Sequence, residues 1–239
     1  MTGLTAIARD LRRELAGLTF APPVAHVYRP LDYAWGPHAE YLERWGRGPK
    51  TVVLVGMNPG PWGMAQTGIP FGCIPLVCSW LDLSCREVGR PDREHPRRPV
   101  EGFECHREEV SGARLWGWAR DRWGTPERFF STVWVTNYCP LLFLDEEGRN
   151  LTPDKLRAAE RERVTVPCDR ALRRVVESLS AHWVVGIGAF AENRVRQVCA
   201  GQPVVLGRIP HPSPASPRAN RGWADVATAE LRKLGIQVP

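Results

Sequence analysis

The chain has 239 residues, 43% of them hydrophobic, with a formal charge of +6 and a pI near 9.2; this is enough apolar material for a sizeable core, and a single domain over residues 1–239 is expected. Only Lys50, Lys155 and Lys233 are lysines, so the positive charge is almost all arginine, which pairs bidentately with phosphate and stacks on bases. No apolar run approaches the roughly 20 residues of a membrane helix, and no apolar core follows the N-terminal charges, so membrane and export classes are disfavoured; a soluble, cytoplasmic, prokaryotic and nucleoid-associated protein is expected.

Residues 1–20 place Leu4, Ile7, Ala8, Leu11 and Leu15 on one face of an amphipathic helix. Thr51 to Gly56 is the first of four short apolar runs that read as buried strands. It empties into residues 56–72, where five glycines and three prolines hold the backbone in shapes other residues do not adopt. Cys73 to Leu83 has helical periodicity. Residues 86–114 turn polar and basic, with Pro91, Pro96, Pro99 and the pair Arg97-Arg98, and read as a long surface excursion.

Thr132 to Asn137 is the second strand. Thr152-Pro153-Asp154 opens a helix over Pro153 to Ser180, which Pro167 is expected to break or kink. Trp183 to Ile187 is the third strand, Ala189 to Ala200 a helix, Pro203 to Arg208 the fourth strand, and Trp223 to Leu234 a last helix before Gly235. Strands alternating with helices predict a three-layer α/β/α sandwich around a central four-stranded parallel sheet.

The seven cysteines include a loose group, Cys73, Cys78, Cys85 and Cys105, but no Cys-x-x-Cys pair, so free thiols are expected in preference to a metal or iron-sulfur site. Gly186-Ile187-Gly188-Ala189-Phe190-Ala191 fits a dinucleotide fingerprint, yet no acidic residue follows about 20 positions on to hold a ribose. A tight strand-to-helix turn whose amides could hold one phosphate is the better reading, and no cofactor is expected.

In an open α/β sheet, ligands sit just beyond the carboxyl ends of the strands. The polar residues there are Asn58 after the first strand, Asn137 at the end of the second and His211 after the fourth. The Asn137 amide offers a donor and an acceptor side by side, matching a pyrimidine edge such as uracil; it could equally cap a turn. His211 opens a stiff loop, His211-Pro212-Ser213-Pro214, and could be a donor or merely a strand cap. Ser213, Ser216, Arg218 and Arg221 on its flanks offer phosphate contacts. Phe71 could stack on a base or belong to the core, and Gln66 and Thr67 could be surface polar residues. Trp80, Trp116, Trp118 and Trp134 look like core, whereas Trp62 lies inside the glycine-rich loop.

Gly56-Met57-Asn58-Pro59-Gly60-Pro61-Trp62-Gly63-Met64-Ala65-Gln66-Thr67-Gly68-Ile69-Pro70-Phe71-Gly72 resembles the first motif of the single-strand-selective monofunctional uracil-DNA glycosylases. His211-Pro212-Ser213-Pro214, with Ala219-Asn220 and Gly222-Trp223, resembles their second. Asn137-Tyr138-Cys139-Pro140-Leu141-Leu142-Phe143-Leu144 also matches.

The resemblance implies a monomeric enzyme that flips uracil and oxidised 5-substituted uracils, including 5-hydroxymethyluracil, out of single- or double-stranded DNA and leaves an abasic site. It implies Asn58 and His211 as catalytic residues and Met57, Gly60, Met64, Phe71 and Asn137 against the base, Gly60 leaving room at the 5-position. Pro212, Ser213, Pro214, Arg218 and Arg221 would meet DNA. Ala215 departs from the arginine that vertebrate members tend to carry in the wedge loop. Two other classes are open: a module that binds uracil or abasic sites without cleavage, and an α/β hydrolase of free nucleotides.

Overall fold

A computed structural model of the protein describes residues 3–216 and 219–239, with Arg221 described by its backbone alone. The amphipathic N-terminus forms α1 (Gly3–Leu15), which buries Leu4, Ile7, Leu11 and Leu15. An unexpected strand, β1 (His26–Tyr28), and two helices, α2 (Pro30–Tyr33) and α3 (Trp35–Trp45), precede the first buried run, β2 (Val52–Gly56). The glycine-rich loop contains one helical turn, α4 (Met64–Thr67), and leads into α5 (Ile74–Ser79). That helix is shorter than its periodicity predicted, because the chain leaves it at Trp80 and turns through Asp82 at a φ of 50°.

Two helices, α6 (Val110–Trp123) and α7 (Pro126–Phe130), then lead to β3 (Val133–Asn137), β4 (Leu142–Leu144) and β5 (Asn150–Leu151). The long helix α8 (Ala158–Ser178) is followed by β6 (Trp183–Ile187), α9 (Ala189–Val198), β7 (Val205–Ile209) and α10 (Trp223–Lys233). Pro167 does not break α8. Its helix face buries Val164, Pro167, Cys168, Ala171, Leu172 and Val176. Several buried aliphatic side chains at about 1.5–3 kcal/mol each outweigh the roughly 3 kcal/mol an interior proline costs.

The four expected strands form one parallel sheet in the order β3-β2-β6-β7, with Leu54 opposite both Val135 and Val185. The β2-to-β3 connection runs one way across the sheet, and the β3-to-β6 and β6-to-β7 connections run the other way. Right-handed crossovers therefore put α6 and α7 on one face and α8 and α9 on the opposite face, the three layers that were expected. The order reverses between β2 and β6, and the crevice beyond their carboxyl ends is where such sheets bind ligands.

A second, antiparallel sheet, β1-β4-β5, was not anticipated. Its strands are two or three residues long, and β4 is buried on both faces, so alternation gives no signal. Tyr28, Leu142 and Leu144 pack there with Ala65 and Val100, tying the glycine-rich loop to the segment that follows α5. Trp80, Trp116, Trp118 and Trp134 are all buried, as expected.

Candidate active site

The sheet register sets Gly56 directly opposite Asn137. A Cβ on Gly56 would lie 2.4 Å from Asn137 Oδ1 and 2.6 Å from the Phe71 ring, so only glycine lets the amide and the ring converge. Phe71 is held at a φ of 54°, the left-handed region that a bulky residue avoids, and such strain persists only where surroundings enforce it. Its carbonyl abuts α6 at Gly112, where a Cβ would come within 2.0 Å. The Phe71 and His211 rings stand 6.0 Å apart at 43°. Asn137, Phe71 and His211 thus converge over the ends of three strands.

His211 is oriented by its own loop. The Ser213 backbone N–H donates to His211 Nδ1 at 3.1 Å, which fixes the neutral tautomer with its proton on Nε2. Burial pushes the imidazole pKa down to about 4, so the ring is a neutral donor at physiological pH. Gly188, at a φ of 89°, lets His211 Cβ approach; a Cβ there would be 3.3 Å away. Gly186 packs so closely on α9 that a Cβ would lie 2.2 Å from Glu192 N. Both fingerprint glycines are accounted for by packing around this turn.

The rest of the loop is braced from below. Arg114 donates to Pro212 O at 2.8 Å and to Asn220 Oδ1 at 3.2 Å, while Asn220 donates to Pro214 O at 2.9 Å. Trp223 Nε1 holds Pro210 O at 2.7 Å. Pro212 is itself buried, so it braces the loop, and the exposed tip is Pro214 and Ala215. Ser213 Oγ accepts from the Ala215 N–H at 3.2 Å, leaving its hydroxyl proton for another acceptor. Arg218 lies outside the described residues, as does the side chain of Arg221.

Across the crevice, Asn58 Nδ2 donates to Leu141 O at 3.2 Å, which turns its Oδ1 the other way. That oxygen is buried with no hydrogen-bond partner among the described residues. An orphaned acceptor costs about 1–3 kcal/mol, and such a group completes its bonding when a water or ligand donor enters. Asn137 Nδ2 rests at 3.3 Å on Met64 Sδ, a weak acceptor that a carbonyl oxygen readily displaces. Met57 O holds the Cys139 N–H at 2.9 Å, and no backbone carbonyl among the described residues takes the Met57 N–H.

Several residues act differently from what the sequence suggested. Gln66 and Thr67 are fully buried, not surface groups. Gln66 Nε2 donates to Pro61 O and Pro99 O, and its Oε1 accepts from Glu101 N and Gly102 N, all between 2.8 and 3.1 Å. It fastens the segment after α5 onto the glycine-rich loop, so the 86–114 excursion is the loop's outer wall and ends inside α6.

Gly60 also has an unforeseen neighbour, since a Cβ there would lie 2.8 Å from Glu109 Oε2. Glu109 caps α6 by accepting from Ser111 N at 3.2 Å, and burial pushes its carboxyl pKa up. Arg114 carried no sequence signal and Gln66 only its place in the first motif; Glu109 stands immediately before α6, as its N-cap, a weak signal in sequence. The seven cysteines are free thiols, and among the described residues no group of three or more His, Cys, Asp or Glu is placed to hold a metal ion.

Residues 45–232 match the family model described as the uracil DNA glycosylase superfamily. The chain is 50% identical to a rat single-strand selective monofunctional uracil-DNA glycosylase, covering 95% of this chain and 82% of the relative. The mouse and cattle proteins of the same description are each 49% identical over 95% of this chain, and 81% and 84% of their own lengths are matched. The crystal structure of wild-type Pedobacter heparinus SMUG2 superposes with a TM-score of 0.68 at 16% identity, covering 97% of this chain and 98% of that one, a likeness of fold. The relatives at about half identity are mammalian, which overturns the expectation of a prokaryotic, nucleoid-associated protein.

Proposed function

The chain belongs to the single-strand-selective monofunctional uracil-DNA glycosylases, within the uracil DNA glycosylase superfamily, and from that premise we propose how its residues hydrolyse the N-glycosidic bond of deoxyuridine in DNA. Asn137 reads the pyrimidine edge of a flipped uracil, exchanging Met64 Sδ for the base O4, and Phe71 stacks on the ring. Met57 offers its N–H to the base O2. The bond breaks as an anionic base leaves an oxocarbenium-like sugar, so the largest gain comes from stabilising charge on that oxygen. His211 Nε2–H supplies it.

The observation that carries this reading is the Ser213 N–H bond to His211 Nδ1, which leaves one donor on the face turned to the pocket. A neutral imidazole stabilises the departing anion without first giving up a proton. Asn58 Oδ1, unpaired in the crevice, orients the attacking water; a neutral amide takes no proton at pH 7, so the chemistry leans on the leaving group. None of Lys50, Lys155 and Lys233 lies in these motifs to form a Schiff base, in keeping with a monofunctional enzyme that leaves an abasic site.

The finer reading is a monomer that acts on both strand forms and also releases 5-hydroxymethyluracil, as the resemblance implies for a glycine at position 60. The test is incubation with single- and double-stranded oligonucleotides carrying uracil or 5-hydroxymethyluracil, then alkali. Strand cleavage at the modified site is expected in all four. Intact uracil strands at high enzyme concentration would end the proposal, and intact 5-hydroxymethyluracil strands alone would confine it to uracil.

A further inference from the structure

Two guanidinium groups lie over the ring of Trp62 in the glycine-rich loop, Arg98 at 5.2 Å and Arg107 at 5.5 Å from its centroid. Both arginines come from the segment that Gln66 fastens to this loop, and Arg107 is two residues from Glu109, which packs on Gly60 and Gly63 of the same loop. The cluster is thus fixed relative to Asn58, only four residues from Trp62.

Two like charges against one indole repel each other and are left uncompensated. Arg98 donates to the carbonyls of Gly148 and Arg97, and Arg97, Arg98 and Arg107 form no ion pair among the described residues, although Glu104 and Glu108 lie in the same stretch. Arg97 and Arg107 are exposed, and Trp62 keeps part of its surface open. A phosphodiester supplies the missing negative charge, and an unpaired base supplies a flat partner for the part of the indole that the guanidinium groups leave exposed.

We propose that Trp62, Arg98 and Arg107 form a second DNA-binding subsite that takes the unpaired strand beside the flipped nucleotide, stacking a neighbouring base on Trp62 and holding its phosphate with Arg107. A paired base keeps its face in the duplex stack, so this subsite favours single strands. The inference rests on the glycosylase reading above for where the flipped nucleotide lies.

The test is fluorescence anisotropy with a single-stranded oligonucleotide carrying one tetrahydrofuran abasic analogue, and with its duplex, for wild type, Trp62→Ala, Trp62→Phe and Arg107→Ala. Thermal melting checks that each variant folds. Loss of a stacked base should weaken single-strand binding by roughly fivefold or more in Trp62→Ala, with Trp62→Phe restoring most of it and the duplex affected less. Arg107→Ala should flatten the log–log salt dependence by about 0.7 on the single strand. Unchanged affinity and salt slope in folded variants of an active enzyme would overturn the subsite alone, as would equal losses on the two strand forms. Failure of the wild type to release uracil while these binding losses appear would instead overturn the glycosylase reading.

Discussion

His211 illustrates how one backbone contact can set a side chain's chemistry. The Ser213 N–H on Nδ1 selects the tautomer, and burial keeps the ring neutral down to about pH 4. Uracil release should therefore show no inflection near pH 6.5, the ordinary histidine value, and should fall only as pH approaches 4; a single-turnover pH series that halves near 6.5 would contradict the buried, neutral donor. Asn58→Ala removes the unpaired Oδ1 and should slow release by about 10- to 100-fold, less than the loss of a full general base, with DNA affinity kept. The identities of Asn58, Asn137 and His211 were legible because each stands just past a strand end. Their states were not legible: the Met64 contact on Asn137 and the orphaned oxygen on Asn58 arise from tertiary approach.

At the scale of elements, the glycine-rich loop is positioned by groups far away in sequence. Gln66 alone satisfies Pro61 O, Pro99 O, Glu101 N and Gly102 N. Gln66→Ala leaves these buried groups unpaired and should cost about 3 kcal/mol or more, read by urea denaturation, and should lower uracil release because the glycine-rich loop that carries Asn58 loses its mount. An unchanged midpoint would mean that water replaces the amide. Parallel strands were legible as continuous apolar runs, within one or two residues at each end. The β1-β4-β5 sheet was not, because a strand of two or three buried residues carries no period. Pro167 misled for a different reason: its local penalty is real, but the buried face of α8 exceeds it.

Across the whole molecule, two desolvated histidines, His38 in the core and the half-buried His211, link stability to pH. His38, fully buried with Nδ1 2.7 Å from Gly68 O, has its pKa pushed down to about 4 by burial, as does His211. The folded state therefore binds fewer protons than the unfolded chain, whose histidines titrate near 6.5. Their contribution is complete above about pH 6.5 and is lost as pH falls towards 4, by up to about 3 kcal/mol each. Urea midpoints should fall across that window, and His38→Gln, which keeps a donor for Gly68 O, should remove roughly half of the dependence. A flat profile would show that these rings are protonated in the fold.

The same neutrality of His211 underlies the mechanism, so the most direct test joins rate to binding. Single-turnover uracil release from a uracil-containing single strand is measured for wild type and His211→Leu, beside the affinity of each for the abasic-analogue strand. The expected result is a rate lower by about 10²- to 10³-fold in His211→Leu with affinity unchanged, the size of a lost oxyanion donor. A variant that keeps the wild-type rate, or one whose affinity falls in step with its rate, would contradict leaving-group stabilisation by His211.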